Sequence, residues 1–216
     1  MRGTNKTLRE HGIYLCGRGP YSKRLQLRPM REKDWQVLYE WNNDPEVLYF
    51  AEGDYVSSRS MEDTQQIYAE VSQSGLCFII ELDMRSIGEC WLQRMNVGCI
   101  QRKYPGLDCR RIDLLIGEKA LWNRGIGTEV IRALAEYGFR HENADMIFGL
   151  PGSHNPRSIR AFEKAGFRRT GELRLPMGGK AEMEIEMSAS RLEYEGETVA
   201  PVKSGQKCRR ESSHGG

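Results

Sequence analysis

Arg111-Ile112-Asp113-Leu114-Leu115-Ile116-Gly117 sets an apolar residue at every second position from Ile112, and Trp122-Asn123-Arg124-Gly125-Ile126-Gly127-Thr128 follows shortly after it. The first run predicts a strand, with Ile112, Leu114 and Ile116 on one face and Arg111, Asp113 and Leu115 on the other. The second run reads as a glycine-bearing loop that opens a helix over 127–142. Val130, Ile131, Leu134, Tyr137 and Gly138 fall on one stripe of that helix. Strand, loop and helix N-terminus in this order bring free N–H groups and a partial positive charge to one place, which suits a phosphate or pyrophosphate. Gly125 and Gly127 carry no Cβ to keep an anion off the backbone. Arg124 adds a charge and Thr128 a hydroxyl donor. Taken alone, the loop also fits a plain strand-to-helix turn. It is neither the three-glycine dinucleotide fingerprint nor the Gly-Lys-Ser/Thr of a Walker loop.

Around this segment the chain alternates α and β. Residues 25–29 read as a first strand stopped by Pro29, and 32–42 as a helix. Pro45 suits the first turn of a second short helix. Ser60 with Asp63 forms a capping-box pattern for a helix that Gly75 ends. Residues 76–82 and 87–95 form a hairpin, and 96–108 reads as a loop. A short strand at 146–150, a helix at 155–165 and a terminal pair of strands across a turn at 176–180 complete the order. The expectation is one mixed α/β domain spanning 25–193, with a flexible basic extension at 1–24 and a flexible tail at 194–216.

The 216 residues carry 32 Lys and Arg against 30 Asp and Glu, a formal net charge of +2. This near-balance argues against a nucleic-acid binder. No run approaches the roughly 20 apolar residues of a membrane span. The positive charge sits at the ends, in Arg2, Lys6, Arg9, Arg18, Lys23 and Arg24, and again in Lys203, Lys207, Arg209 and Arg210. The middle of the chain is therefore acidic, which suits a cationic partner. The six cysteines form no Cys-x-x-Cys pair, so zinc-ribbon spacing is absent and no metal is expected. With a polar N-terminus that lacks an apolar core, free thiols point to the cytoplasm.

A second motif decides between the readings of the loop. Asn155-Pro156-Arg157-Ser158-Ile159-Arg160-Ala161-Phe162-Glu163-Lys164-Ala165-Gly166-Phe167 lies one helix and one strand downstream. The loop resembles the acyl-CoA pyrophosphate loop of the GNAT acetyltransferase superfamily, Gln/Arg-x-x-Gly-x-Gly/Ala, with Trp122 in place of the first residue. The downstream stretch resembles that superfamily's second signature, an Asn followed by an aromatic-Glu-Lys-x-Gly-Phe ending. The resemblance covers about 25–190. It implies a central, mostly antiparallel sheet with a splayed parallel strand pair, flanked by helices. Acetyl-CoA is implied as co-substrate, with no metal.

The resemblance also implies site residues. The backbone of Leu115, Ile116 and Gly117 would pair with the pantetheine arm. Arg124, Gly125, Ile126, Gly127 and Thr128 would hold the pyrophosphate, and Asn155 would orient the arm. Phe162 stands beside the cofactor where the superfamily often has a tyrosine that protonates the leaving thiolate. Phenylalanine cannot do so, and His154 and Tyr104 are candidate substitutes. An amine with a pKa near 10.4 must lose a proton before it attacks. Asp113 precedes the cofactor backbone by two residues and is the candidate base, direct or through water. The alternative for Asp113 is an ion pair with Arg110 or Arg111.

The amino half narrows the resemblance. Leu27-Arg28-Pro29-Met30, Asp34, Leu38-Tyr39-Glu40-Trp41-Asn42 and Arg110-Arg111-Ile112-Asp113 are similar to the aminoglycoside 6'-N-acetyltransferase branch. There Asp113 would contact the accepting amine, with Tyr49 and Phe50 walling the acceptor site. Glu40, Asp44, Glu46, Glu52 and Asp54 would supply an acidic cleft for a small cationic amine. Those enzymes often carry an Asp before the proline that follows the 146–150 strand, and here Leu150 precedes Pro151. Two other readings stay open. One is an N-acetyltransferase for protein N-termini or for polyamine- or lysine-like amines. The other is a non-catalytic acyl-CoA-binding module. No residue pattern selects an oligomeric state.

Overall fold

The computed structural model describes residues 7–20, 23–53, 58–174 and 183–196, and the backbone of 208–209. Among these residues nine strands form one sheet in the order β1-β2-β3-β4-β5-β6-β8-β7-β9. The strands are β1 (Leu15–Arg18), β2 (Arg24–Pro29), β3 (Gly75–Leu82), β4 (Arg85–Arg94), β5 (Cys109–Ile116), β6 (Met146–Gly149), β7 (Arg168–Arg174), β8 (Met183–Ser190) and β9 (Cys208–Arg209). The helices are α1 (Trp35–Trp41), α2 (Pro45–Glu52), α3 (Met61–Ser74), α4 (Gly98–Lys103), α5 (Ile126–Arg140), α6 (Pro156–Lys164) and α7 (Arg191–Tyr194). The expected mixed sheet with flanking helices is present. No helix among the described residues is long and apolar enough to cross a membrane.

The sheet owes its site to one mismatch of length. β5 pairs antiparallel with β4 along Arg110–Ile116. It pairs parallel with β6 only from Cys109 to Ile112, opposite Met146–Gly149. β6 ends at Gly149, so the edge of β5 from Asp113 to Ile116 has no strand beside it. This gap is the splay between the parallel strands.

Alternation along β5 sorts the two sides of the sheet. Ile112, with Leu114 and Ile116 against it, packs under Val130, Ile131 and Leu134 of α5, together with Ile147, Ile185 and Met187. Leu115 faces the opposite side, with Leu38, Trp41, Val47 and Tyr68 from α1, α2 and α3. On that second side lie Glu89, Trp91 and Gln93 of β4 and Arg111 and Asp113 of β5.

Several elements anchor as their residues demand. Ser60 accepts from the Asp63 amide at 3.0 Å while Asp63 accepts from the Ser60 amide, a reciprocal cap of α3. Asp44 caps α2 by accepting from the Glu46 and Val47 amides, with Pro45 in the first turn. Arg28 forks onto both Asp34 oxygens at 2.7 Å and reaches Glu81 with Nε at 2.7 Å, which ties β2 and β3 to the turn before α1.

The structure corrects the sequence reading at both ends and in one loop. Part of the expected extension at 1–24 belongs to the fold. β1 pairs antiparallel with β2, Leu8 is buried, and the Arg9 amide donates to Ser72 Oγ at 2.9 Å. Four strand residues and one buried leucine leave too little periodicity to read. Residues 98–103, expected as loop, form α4 around buried Cys99 and Ile100. The helix starts after Val97 without a side-chain cap, so it lacks a start signal. At the other end α7 follows β8 directly and reaches Tyr194, the first residue of the expected tail, and within that tail Cys208–Arg209 pairs parallel with β7. The expected turn at 176–180 and Asp54 lie outside the described residues.

Candidate active site

The loop after β5 forms one wall of a cavity of about 250 Å³. Gly125 is the residue before α5 and holds φ +80°, a left-handed conformation that a Cβ would strain. It has no side chain to cap the helix, so the first-turn amides of α5 are left for another acceptor. A Cβ on Gly127 would make only ordinary contacts with Leu114 and Ala161. Leu115, Ile116, Arg124, Ile126, Thr128 and Asn155 also line the cavity. Its cations are Arg124, Arg157, Arg160 and Lys164, and no described lining residue is acidic. Four cations with an open helix N-terminus fit a polyanionic ligand such as the phosphates of a coenzyme.

Four residues expected at the cofactor have groups engaged within the protein. Ile116 O accepts from Trp122 Nε1 at 2.7 Å, and the Gly117 amide donates to Ile87 O at 2.9 Å. Two of the backbone groups expected to face a pantetheine arm are thus used within the protein. Gly117 lies against Trp41, whose ring is where a Cβ would stand, and it does not line the cavity. Asn155 caps α6 by accepting from the Ser158 amide, and it donates from Nδ2 to Phe50 O at 3.0 Å. Phe162 is in the core, 5.2 Å from Phe167 and packed over Gly149, and it does not line the cavity.

The helix α2 closes over this cavity. His154 Nε2 bonds Tyr49 O at 3.0 Å, and Asn155 bonds Phe50 O. Both carbonyls belong to the last turn of α2, and that of Tyr49 also accepts from the Gly53 amide. The Arg157 guanidinium sits between two rings, 3.9 Å from the Phe50 centroid and 4.0 Å from that of Trp122. Phe50 therefore serves the cationic cavity, while Tyr49 packs on His154. Tyr104 packs on Phe148, and burial raises its pKa first among several causes.

On the second side of the sheet Asp113 is half-buried beside Arg111. Its Oδ2 accepts from Arg111 Nε at 2.5 Å and from Trp91 Nε1 at 2.9 Å. The Arg111 ion pair foreseen as the alternative is present. Oδ1 makes no hydrogen bond among the described residues, so one oxygen remains for a proton or an amine. Burial opposes the charge on Arg111, and the carboxylates of Asp113, Glu184 and Glu52 together outweigh it and raise the arginine's pKa.

The acidic cluster expected between 40 and 54 is mostly structural. Asp44 and Glu46 pair with Lys119 at 2.8 and 3.5 Å, which binds α2 to the turn after β5. Glu52 pairs with Arg59 at 3.0 Å, and Glu40 accepts from Gln36. Two other glutamates were not singled out from the sequence. Glu184 of β8 acts electrostatically on Arg111. Glu89 of β4 is 3% exposed, and its Oε2 has no hydrogen bond. Burial pushes the Glu89 pKa well above the usual carboxylate range, and the Asp113 charge pushes the same way. Glu89 interrupts the apolar run Ile87-Gly88-Glu89-Cys90-Trp91-Leu92, which is the one signal that could have flagged it.

The thiols offer no nucleophile here. Cys16, Cys77, Cys90 and Cys109 are free thiols, and burial pushes the Cys109 thiol up to about 11 and those of Cys77 and Cys90 higher. Among the described residues, no group of three or more His, Cys, Asp or Glu comes together to hold a metal.

Comparison with known proteins bears on the family and the fold. The family model described as an acetyltransferase (GNAT) domain matches residues 24–168. The aminoglycoside N(6')-acetyltransferase type 1 of Klebsiella pneumoniae is 30% identical over 161 residues, 71% of this chain and 79% of that protein. Among solved structures, AAC(6')-Ib with ribostamycin and coenzyme A superposes with a TM-score of 0.67 at 28% identity, over 79% of this chain and 96% of that one. The same enzyme with coenzyme A and kanamycin gives 0.66 at 27% identity, over 80% and 98%.

Proposed function

The chain belongs to the GNAT acetyltransferase family, whose members transfer acetyl from acetyl-CoA to an amine, and on that premise we propose that its acceptor is a primary amine of an aminoglycoside-type amino sugar. One observation carries this reading. The unpaired edge of β5, Asp113 to Ile116, has a cation-lined cavity at its Ile116 end and carboxylates on the face of Asp113. An anionic donor and a cationic acceptor thus meet at one strand end.

In this reading Arg124, Arg157, Arg160 and Lys164, with the open amides of α5, hold the phosphates of acetyl-CoA. Leu115 and Ile116 lie alongside its arm, and Asp113 faces the acceptor. The acceptor arrives as an ammonium and gives one proton to Asp113 Oδ1 or to water. Its lone pair then attacks the thioester carbonyl, the C–N bond forms and the C–S bond breaks. The second proton of the new amide nitrogen passes through water to the departing coenzyme thiolate, since Phe162 has none to give. Positioning two reactants at one strand end supplies much of the acceleration such a transfer needs.

The test is a panel of acceptors with acetyl-CoA, following thiol release. Kanamycin and ribostamycin stand for amino sugars, spermine for polyamines, and peptides with free N-termini for protein acceptors. Release with the sugars alone supports the reading. Release with spermine or peptides alone replaces it. Coenzyme A binding without release from any acceptor would identify a binding module.

A further inference from the structure

Glu89 and Asp113 stand on adjoining strands of one sheet face. Asp113 is paired across the ladder with Trp91, and Glu89 lies two residues further along β4, opposite Leu115. The two carboxyl groups are therefore diagonal neighbours, within reach of each other's fields. Their surroundings differ sharply. Asp113 has Arg111 at 2.5 Å and Trp91 Nε1 at 2.9 Å. The hydroxyl of Tyr68 favours the ionised form of Glu89, and it accepts from Asn42 Nδ2 at 2.8 Å. The second oxygen of Glu89 is buried with no partner.

A buried carboxylate with an unpartnered oxygen and a like charge beside it is a costly arrangement. A buried carboxylic acid is not. The charged and titratable groups that act on Glu89 come from every element packed around it. Asp113 of β5 and Glu52 of α2 disfavour its ionisation. Tyr68 of α3 and Arg59 before α3 favour it, Tyr68 less than Asp113 disfavours it and Arg59 least of all. Cys77 of β3 and Cys90 of β4 are neutral thiols whose own ionisation Glu89 disfavours. Burial dominates the sum, and the Asp113 charge is the next cause. A cation placed at Asp113 would oppose that second cause.

We propose that Glu89 is a positioning residue that stays protonated until a cationic acceptor docks at Asp113, then gives its proton to solvent, so that two charged carboxylates hold the bound acceptor. The inference rests on the cationic acceptor of the proposed function. The O–H bond of Glu89 breaks, the electron pair stays on its oxygen, and the proton leaves to water. Nothing is oxidised or reduced. The device favours acceptors with charge to share between two carboxylates over singly charged amines. It spares the fold a buried charge when no acceptor is bound.

Calorimetric binding of kanamycin to the protein with coenzyme A, in buffers of different ionisation enthalpy at neutral pH, counts the protons released. Wild type is expected to release about one more proton per acceptor than Glu89→Gln, whose amide has the same shape and cannot ionise. Tyr68→Phe removes the donor that favours the ionised form, so its release should move to higher pH. A purely structural Glu89 would leave the proton count unchanged, and equal release from wild type and Glu89→Gln overturns the inference. If neither kanamycin nor spermine binds, the acceptor reading fails separately. The infrared spectrum still decides the state of Glu89. A protonated-carboxyl band at neutral pH, lost in Glu89→Gln, supports the inference, and its absence overturns it.

Discussion

Arg111 donates to Asp113 across 2.5 Å along a single strand, and the arginine is buried while the carboxylate is partly open. The same carboxylate thus has two duties, neutralising a buried cation and facing the acceptor. Asp113→Asn keeps the shape and removes the charge. Turnover should fall by about a hundredfold or more, the usual weight of a general base, with coenzyme A affinity unchanged. Stability should also fall, by about 3 kcal/mol, because Arg111 loses its counter-charge. Steady-state kinetics on protein verified as folded separates the two effects. Unchanged turnover would remove Asp113 as the base.

Arg157 lies in the corner made by the nearly perpendicular Phe50 and Trp122 rings, 3.9 and 4.0 Å from their centroids. A guanidinium fixed in this way reaches a phosphate with little further loss of freedom. Arg157→Ala should weaken coenzyme A binding about ten- to a hundredfold, as expected for a lost charge-assisted hydrogen bond. Arg157→Lys restores the charge and not the stack, so it should recover only part of the affinity. Calorimetry at two salt concentrations checks both variants. Wild-type affinity in Arg157→Ala would assign the stack to holding α2 alone.

Gly125 holds φ +80° immediately before α5. Gly125→Ala forces a Cβ into the left-handed region at a cost of roughly 1–2 kcal/mol. A Cβ there meets no other atom within 4 Å, so strain rather than collision is the whole effect on the fold. Urea denaturation should show that loss. Coenzyme A affinity should fall with it, since any relaxation of the loop turns the α5 amides away. A variant as stable as wild type would show that the loop relaxes freely.

Much of this site was legible because its residues obey local rules. The faces of β5 followed from alternation, and the loop from two glycines before an amphipathic helix. The rest depends on partners remote in sequence. Asp44 and Glu46 looked like part of an acidic cleft until Lys119, more than seventy residues away, proved to be their partner. Phe162 matched a motif position next to the cofactor, but glycine at 149 leaves room for its ring in the core. Glu89 looked like one charge in a hairpin strand, and its burial follows from α3 covering that face with Tyr68. None of these outcomes has a signature within a few residues.

The N-terminal segment offers a simple check on the enlarged fold. Leu8 is 7% exposed and packs in the cluster of Leu38, Trp41 and Tyr68, beneath the acceptor side of the sheet. Leu8→Ala should cost about 2 kcal/mol, at the low end for a buried leucine because the segment can partly collapse. Thermal unfolding measures it. No shift in midpoint would mean that residues 7–14 add nothing to the fold in solution.

The raised pKa of Glu89 has a definite sign in stability. In the unfolded chain the carboxyl ionises at the ordinary value, whereas in the folded protein burial keeps it protonated to higher pH. Between those two values the folded state holds one proton more than the unfolded state, so stability falls as pH rises, by at most about 1.4 kcal/mol per pH unit. Below the ordinary carboxylate value both states are protonated and the penalty vanishes. Asp44, whose pKa is lowered chiefly by its hydrogen bond with Lys119, works in the opposite direction and loses its contribution as pH falls. Glu89→Gln removes the Glu89 effect alone. Wild type and variant should be similarly stable in acid, and the variant should gain over wild type as pH rises towards neutrality. Urea denaturation across that range gives the difference curve. A flat difference would mean that Glu89 titrates alike in the folded and unfolded protein.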